Sequence, residues 1–432
     1  MHDPLAWLFA LEQFGIKFGL ENISRIVARL GHPERAFQSV HIAGTNGKGS
    51  VTAMVDATLR AAGHRSARYT SPHLVDLTER FVIDGRPVAD AALADAIGDV
   101  RIAVDGLLGD GGLDVQPTFF EVTTAIAFEL FRRADVEVAV LEVGLGGRLD
   151  ATNVVSPPEL LVTAITSIAF DHQLYLGTTL REIAFEKAGI IKPGVPVITA
   201  AEPGRGLEVI ANVAQQLDSQ LTVIDRIDAR GAFLDEARLP LLGEHQRLNA
   251  AVAVATVRAA ESRIPVAQET ILTGLSRVQW PGRMQLATIP GGQTLLLDGA
   301  HNIPSAEALA AAFKQQFSAK QPAMIFGVLA DKDWRPLAEI LAPLARRILL
   351  VPVNSERTLH PAELFPACRA ANPNASVEVC ESLAEALARS KDEPFLLITG
   401  SLYLIGEAME RLQLLPRPPG DERGLNEWTA RK

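Results

Sequence analysis

The chain has 432 residues, 48% of them hydrophobic and 21% charged, and a formal net charge of −10 from 41 Lys and Arg against 51 Asp and Glu. That length allows two or three domains with full cores, and the acidic balance argues against a general nucleic-acid or membrane-surface binder while leaving room for a local basic pocket. Two cysteines, Cys368 and Cys380, exclude a disulfide framework, and no uncharged apolar run reaches the ~18 residues of a membrane span.

The start, His2-Asp3-Pro4, lacks a basic segment followed by an apolar core, so no signal peptide is expected and the cytoplasm is the expected compartment. The apolar run Val40–Ala43 predicts a strand, and Val51 to Ala62 reads as a helix. Between them lies Gly44-Thr45-Asn46-Gly47-Lys48-Gly49-Ser50. Strand, glycine-rich turn, lysine, hydroxyl residue and helix in this order make a phosphate-binding loop. Its glycines free backbone N–H groups for anionic oxygens. Lys48 would neutralise phosphate charge, and Ser50 could reach a magnesium ion. Two departures from the common G-x-x-x-x-G-K-[ST] pattern stand out. Ile42 occupies the first glycine position, and Gly49 separates Lys48 from Ser50.

Residues 105–117 are rich in Gly, Pro and Asp and suit a surface loop. A helix from Glu121 to Arg133 precedes a buried strand over Val136–Val143. Further strands are expected at Leu160–Thr166 and Val195–Thr199, with helices near Leu180–Ala188 and Leu207–Leu217. This alternation predicts a parallel sheet covered by helices. The texture changes around 280–293, where Trp280-Pro281-Gly282-Arg283 and Ile289-Pro290-Gly291-Gly292 occur. Strands then alternate with helices again at Thr294–Asp298, Ala323–Val328, Ile348–Pro352, Ser376–Cys380 and Phe395–Thr399. The expected organisation is α/β throughout, residues 1–289 forming one domain and 290–432 a second. The tail from Pro416 to Lys432 is proline-rich and charged and is expected to be poorly ordered.

Several segments add chemistry to the loop. Glu142 ends a strand ahead of Val143-Gly144-Leu145-Gly146-Gly147-Arg148-Leu149-Asp150-Ala151-Thr152-Asn153. Ligands of open parallel sheets bind at that carboxyl edge. Asp171-His172-Gln173 follows the next strand, so Glu142 and His172 are expected to end neighbouring strands. Glu186-Lys187-Ala188-Gly189, Gly243-Glu244-His245-Gln246-Arg247-Leu248-Asn249, Pro281-Gly282-Arg283 and Asp298-Gly299-Ala300-His301-Asn302 come next.

Taken in this order, from about Phe14 to Gly406, these motifs closely resemble the Mur-ligase-type ATP-dependent amide ligases, and within them the folylpolyglutamate synthase/dihydrofolate synthase family. One departure is Ile303, where that family usually has proline after the asparagine. The resemblance implies an N-terminal P-loop ATPase domain with a parallel sheet and a C-terminal Rossmann-like α/β domain, with the site in the cleft between them. It implies that Thr45, Asn46, Gly47, Lys48 and Gly49 wrap the ATP phosphates, and that Ser71, Glu142 and His172 are Mg²⁺ ligands, with two ions expected. Lys187 would be carbamylated by CO₂. Asn249, Arg283 and Asp298 would contact the nucleotide, Arg283 on phosphate and Asp298 on ribose. His301 would sit near the incoming glutamate and the transferring phosphoryl group. Lys17, Phe18, Gly19, Thr118, Phe119, Phe120, Glu121, Leu149, Asp150 and Ala151 would frame a pterin-bearing substrate.

The reaction so implied is ligation of L-glutamate to dihydropteroate and to reduced folates through an acyl phosphate, by a monomer without nucleic-acid or membrane partners. The segment Gly147–Asn153 resembles the bifunctional group. A folylpolyglutamate synthase alone, a cell-wall Mur ligase and a nucleotide-switched binding protein remain as alternatives. Thr70-Ser71-Pro72-His73-Leu74 with Glu79-Arg80 favours the folate branch over the cell-wall one. A switch would not need Lys187, Arg283, Asp298 and His301.

Overall fold

A computed structural model describes residues 4–11, 15, 18–415, 422 and 426. Its first sheet has eight strands: β1 Gln38–Ala43, β2 Ser66–Tyr69, β3 Phe81–Ile83, β4 Arg86–Pro87, β5 Val138–Glu142, β6 Leu160–Ile165, β7 Val197–Thr199 and β8 Leu221–Val223. They lie in the order β4-β3-β2-β5-β1-β6-β7-β8. From β2 to β8 all neighbours are parallel, and β3 and β4 add an antiparallel edge.

Alternate residues of β5 show why the strand reads as continuously apolar. Ala139 and Leu141 face one core, with the helices Asp90–Gly109 and Phe119–Arg133. Val138 and Val140 face another, with Lys48–Ala61, Glu244–Ala259 and Gln268–Ser276. A parallel strand buried on both faces needs apolar side chains at every position. On the second face the helices come close: a Cβ on Gly274 would lie 2.4 Å from the Thr58 Cα.

The second sheet holds β9 Gln285–Thr288, β10 Thr294–Asp298, β11 Ala323–Phe326, β12 Arg347–Leu350, β13 Ser376–Val379 and β14 Phe395–Thr399, in the order β13-β12-β11-β14-β10-β9. Only β9 is antiparallel to its neighbour. This sheet too has a core on each face. Leu74 and Val75 of the first domain pack into one of them beside Leu404 and Ile405. A Cβ on Gly406 would lie 2.0 Å from the Leu74 carbonyl oxygen, so the helix Leu402–Arg411 abuts that segment directly.

Three local expectations change. The helix Asp90–Gly109 takes the first five residues of the expected 105–117 loop. Strand β9 places Gln285–Thr288 in the second sheet, ahead of residue 290. In the tail, Glu422 and Asn426 are buried, 5% and 3% exposed, against the first domain. Ile303 does not weaken the helix start that follows it. Asn302 caps the helix Ile303–Gln316 by accepting the Ser305 N–H at 3.1 Å, and Pro304 stands in the first turn, where its missing N–H costs nothing.

Candidate active site

The carboxyl edge of the first sheet opens onto a cavity of about 490 Å³, the size of a small-molecule site, which the second domain closes from the other side. Its floor is the loop after β1. Gly44 (φ +142°) lets the loop turn against β6, where a Cβ would sit 1.8 Å from Thr166 Oγ1. Thr45 N donates to the Ser167 carbonyl at 2.8 Å, and Thr166 Oγ1 donates to the Asn46 carbonyl at 2.7 Å. Gly47 (φ +93°) ends the loop and starts the helix Lys48–Ala61, whose N-terminus points its N–H groups and positive dipole end towards the cavity. Asn249 lies against Gly47, where a Cβ would meet its Oδ1 at 2.4 Å, and Trp280 similarly covers Gly49.

Two lysines meet beneath this loop. Lys48 Nζ donates to the carbonyls of Gly44 and Thr45, each at 3.2 Å, and Lys187 Nζ donates to the Gly44 carbonyl at 2.8 Å. Lys187 is 4% exposed. Burial first, and the Lys48 charge second, push its pKa down to about 7.

Glu142 and His172 flank the loop rather than ending neighbouring strands. β1 lies between β5 and β6, so the two side chains approach from opposite sides of the phosphate loop. Glu142 is buried, and burial pushes its carboxyl up to about 7 against the pull of Lys48. Its Oε2 accepts the Ser71 N–H at 3.3 Å. His172 sits in the left-handed region (φ +51°) at the head of a short helix. Among the described residues no three His, Cys, Asp or Glu side chains form a metal cage. Glu142 and Ser71 offer the hard oxygen atoms that Mg²⁺ takes beside phosphate oxygens and water, whereas the His172 imidazole is a softer donor than Mg²⁺ ordinarily takes. A carboxylate pushed up by burial is one whose charged form a nearby cation would favour.

From the second domain, Asp298 at the end of β10 accepts the N–H groups of Met284 and Ala300 at 2.8 and 2.9 Å. Arg283, Asp298 and His301 all line the cavity. His301 Nδ1 lies 2.7 Å from the Gly299 carbonyl, so Nδ1 carries the proton. Its Nε2 stands 3.7 Å from Asp171 Oδ2.

Asp171, next to His172 in the sequence and outside the expected site set, joins the two domains. Its Oδ1 accepts Lys332 Nζ at 2.6 Å, and its Oδ2 accepts Asn302 Nδ2 at 2.9 Å. Asn302 and Asn46 exchange amide hydrogen bonds, both at 3.0 Å. Lys332 lies 161 residues from Asp171, and no local motif announces it.

The far end of the cavity is apolar. Phe18, Gly19, Phe119, Phe120, Leu149 and Ala151 line it, and Lys17 lies outside the described residues. Thr118 and Glu121 face the same cavity, but their polar atoms are largely engaged in a capping box that starts the helix Phe119–Arg133. Asp150 is similarly occupied: Oδ1 accepts Thr152 N and Oγ1 at 3.0 and 2.5 Å, and Oδ2 accepts Leu145 N at 2.9 Å. It holds the Leu145–Asp150 loop in shape. Except for Lys17, every expected site residue lines this one cavity.

Comparisons with known proteins agree with this layout. The family described as Mur ligase, glutamate ligase domain, matches residues 282–402. The dihydrofolate synthase/folylpolyglutamate synthase of Bacillus subtilis is 34% identical over 95% of this chain and 99% of its own length. The Mycobacterium tuberculosis folylpolyglutamate synthase complexed with ADP superposes with a TM-score of 0.85 at 31% identity, covering 96% of this chain and 100% of that one. Escherichia coli FolC in complex with DHPP and ADP gives a TM-score of 0.83 at 29% identity, over 95% and 98% of the two chains.

Proposed function

Because the chain belongs to the dihydrofolate synthase/folylpolyglutamate synthase family, we propose that it ligates L-glutamate to dihydropteroate and to reduced folates at the expense of ATP. The observation that carries this reading is the single cavity that joins the phosphate loop, a cation-rich cleft and an aromatic-lined end. A pterin, a nucleotide and an amino acid differ in what they ask of a site, and the three regions answer in turn.

A carboxylate resists amine attack because its leaving group would be oxide. A substrate carboxylate oxygen therefore attacks the γ-phosphorus of ATP, releasing ADP and forming an acyl phosphate. The glutamate amine then attacks the acyl carbon, loses a proton and expels phosphate. The helix N-terminus behind Gly47 and the Lys48 ammonium stabilise charge on the transferring group. Arg283 would add a second cation from the other domain, and Asp298, which lines the same cavity, would contact the nucleotide's ribose. His301, with Nδ1–H tied to Gly299, has Nε2 left to take the proton of the attacking amine. Asp171, 3.7 Å from Nε2, faces the imidazolium charge that forms when His301 takes that proton, and through Lys332 and Asn302 it links the domains around the acyl phosphate and helps keep water out.

Ser71, Glu142 and His172 would hold Mg²⁺, which supplies Lewis-acid neutralisation of phosphate charge. Lys187 is the residue suited to carbamylation. With a pKa near 7 it offers a neutral amine, which adds to CO₂ to give a carbamate and one proton. The product is an anion, which would help hold a second Mg²⁺ where two lysine side chains now share one carbonyl.

Incubation with ATP, dihydropteroate and L-glutamate, followed by mass analysis, tests the reading. The expected product is dihydropteroate heavier by one glutamyl unit. With a reduced folate in its place, the expected product is a chain longer by one glutamate. Hydrolysis of ATP that ignores both substrates would instead favour a nucleotide switch.

A further inference from the structure

The segment Ser71–Arg80 connects β2 to β3 and brings two groups to the cavity, the hydroxyl of Ser71 and the guanidinium of Arg80. It has little regular structure of its own beyond the short turn Leu77–Arg80. Glu79 accepts the N–H groups of Leu74, Val75 and Asp76, each at 2.8 Å, Leu74 and Val75 pack into the second domain, and two residues late in the chain add further contacts. Glu422 Oε2 accepts the Leu77 N–H at 2.7 Å, and the Glu422 carbonyl lies 2.8 Å from His73 Nε2. Asn426 Oδ1 accepts from Arg80 at 2.7 Å, and Asn426 Nδ2 donates to the His73 carbonyl at 3.0 Å.

The proton positions in this cluster follow from its partners. Arginine only donates, so His73 Nδ1, 2.9 Å from Arg80 Nε, must accept. The His73 proton is therefore on Nε2 and donates to Glu422. Burial and the neighbouring Arg80 charge hold the ring well below its ordinary pKa, so it stays neutral and keeps this arrangement. The result is a closed ring of contacts, His73 to Arg80 to Asn426 and back to His73, with Glu422 attached to it at His73.

The ring reaches the site at two points. The Arg80 guanidinium lies over Phe119, 5.2 Å from its centroid, at the aromatic end of the cavity. On the other side, the Asn426 carbonyl accepts the hydroxyl of Tyr403, a cavity-lining residue of the second domain that in turn accepts from Arg357 at 2.8 Å.

We propose that Glu422 and Asn426 are positioning residues: they strap the Ser71–Arg80 segment in place, Asn426 also tying it to Tyr403 of the second domain, and set Arg80 and Phe119 for the pterin-bearing substrate. The kinetic part of this proposal rests on the function proposed above, whereas the structural part does not. Asn426 uses an acceptor and a donor at once, so no apolar side chain replaces it. Glu422 needs only an acceptor towards Leu77, which glutamine also supplies.

The test compares hydrogen exchange and steady-state kinetics of the full chain with Asn426→Ala, Glu422→Ala and Glu422→Gln. Loss of a buried hydrogen bond should speed exchange of amides in Ser71–Arg80 by about tenfold in the two alanine variants, leaving the Lys48–Ala61 helix as it was. The KM for dihydropteroate should rise by about fivefold or more while kcat changes by less than about twofold, as expected for lost substrate positioning. Glu422→Gln should behave like the wild type on both measures. Unchanged exchange in Ser71–Arg80 in both alanine variants would overturn the strap, as would Glu422→Gln matching Glu422→Ala. If the wild type turns over no pterin substrate, the proposed function fails and the exchange measurement alone still decides the strap.

Discussion

Lys48 and Lys187 donate to the same acceptor, the carbonyl oxygen of Gly44, at 3.2 and 2.8 Å. One backbone dipole is a poor partner for two ammonium groups at a buried position, and Lys187 yields. Its pKa near 7 follows from burial, with the Lys48 charge adding to it.

A carbamate on Lys187 is the first prediction. The neutral amine gains population as pH rises through about 7, so labelling with ¹³C-bicarbonate should give a carbamate carbonyl signal above that pH and a weaker one below it. Lys187→Ala should lack the signal and lose about 10²–10³ in rate, with part restored by a small carboxylate such as formate. A Lys187→Ala enzyme with near-normal turnover would remove the lysine from the mechanism.

Lys48→Ala should keep the fold and abolish ligation. The loop is shaped by Gly44, Gly47 and the Thr45 and Thr166 hydrogen bonds, none of which needs the lysine side chain. Loss of one charge contact to the transferring group typically costs about 10²–10³ in rate. Circular dichroism should be unchanged while phosphate release disappears.

How far the site was legible depends on how local its signals are. The phosphate loop is contiguous in sequence, and the residues at strand ends carry their context with them, so the sequence points to Lys48, Glu142, His172 and Asp298 as residues of one cleft, and all four line the cavity. The insertion of β1 between β5 and β6 was not, because strand order depends on crossovers that leave no local pattern. Thr118 and Glu121 show a different ambiguity: the family resemblance implies a substrate role, while their three-residue spacing is that of a capping box, and the box is what their side chains form. Lys332 and Asn426 act on partners 161 and 346 residues away. The proline-rich composition around Asn426 reads as loose chain, since the buried amide contacts that hold it are invisible in composition.

Asp150→Ala should lower dihydrofolate synthesis more than glutamate-chain extension. Dihydropteroate and a folate differ by one glutamate, so their reacting carboxylates lie at different distances from the pterin, and one rigid pterin position cannot serve both. Asp150 acts by fixing the Leu145–Asp150 loop through three hydrogen bonds. Its loss should raise the KM for dihydropteroate and cost about 1–2 kcal/mol of stability, as removal of a capping side chain does. Equal loss of both activities would point to one shared position.

His41, on β1, predicts an acid-sensitive fold. Thr152 Oγ1 donates to Asp150, so it accepts from His41 Nε2 at 2.8 Å, and the ring is neutral. Burial, with the Lys192 charge behind it, pushes the His41 pKa from 6.5 down to about 3. Between these values the unfolded chain takes up a proton that the folded protein refuses. The stability from neutral His41 is therefore complete above pH 6.5 and lost as pH falls towards 3, at up to about 1.4 kcal/mol per pH unit. His41→Gln keeps a donor towards Thr152 but cannot titrate. Denaturant melts across this range should show a shallower acid slope for the variant, and parallel slopes would contradict the assignment.

The central claim is that this cleft activates a substrate carboxylate by phosphorylation before glutamate attacks. Dihydropteroate labelled with ¹⁸O in its carboxylate tests it most directly, with the released phosphate analysed by mass after turnover with ATP and L-glutamate. An acyl phosphate transfers one carboxylate oxygen to phosphate in each ligation, so the account predicts one ¹⁸O per phosphate released. Ligation accompanied by unlabelled phosphate would contradict it.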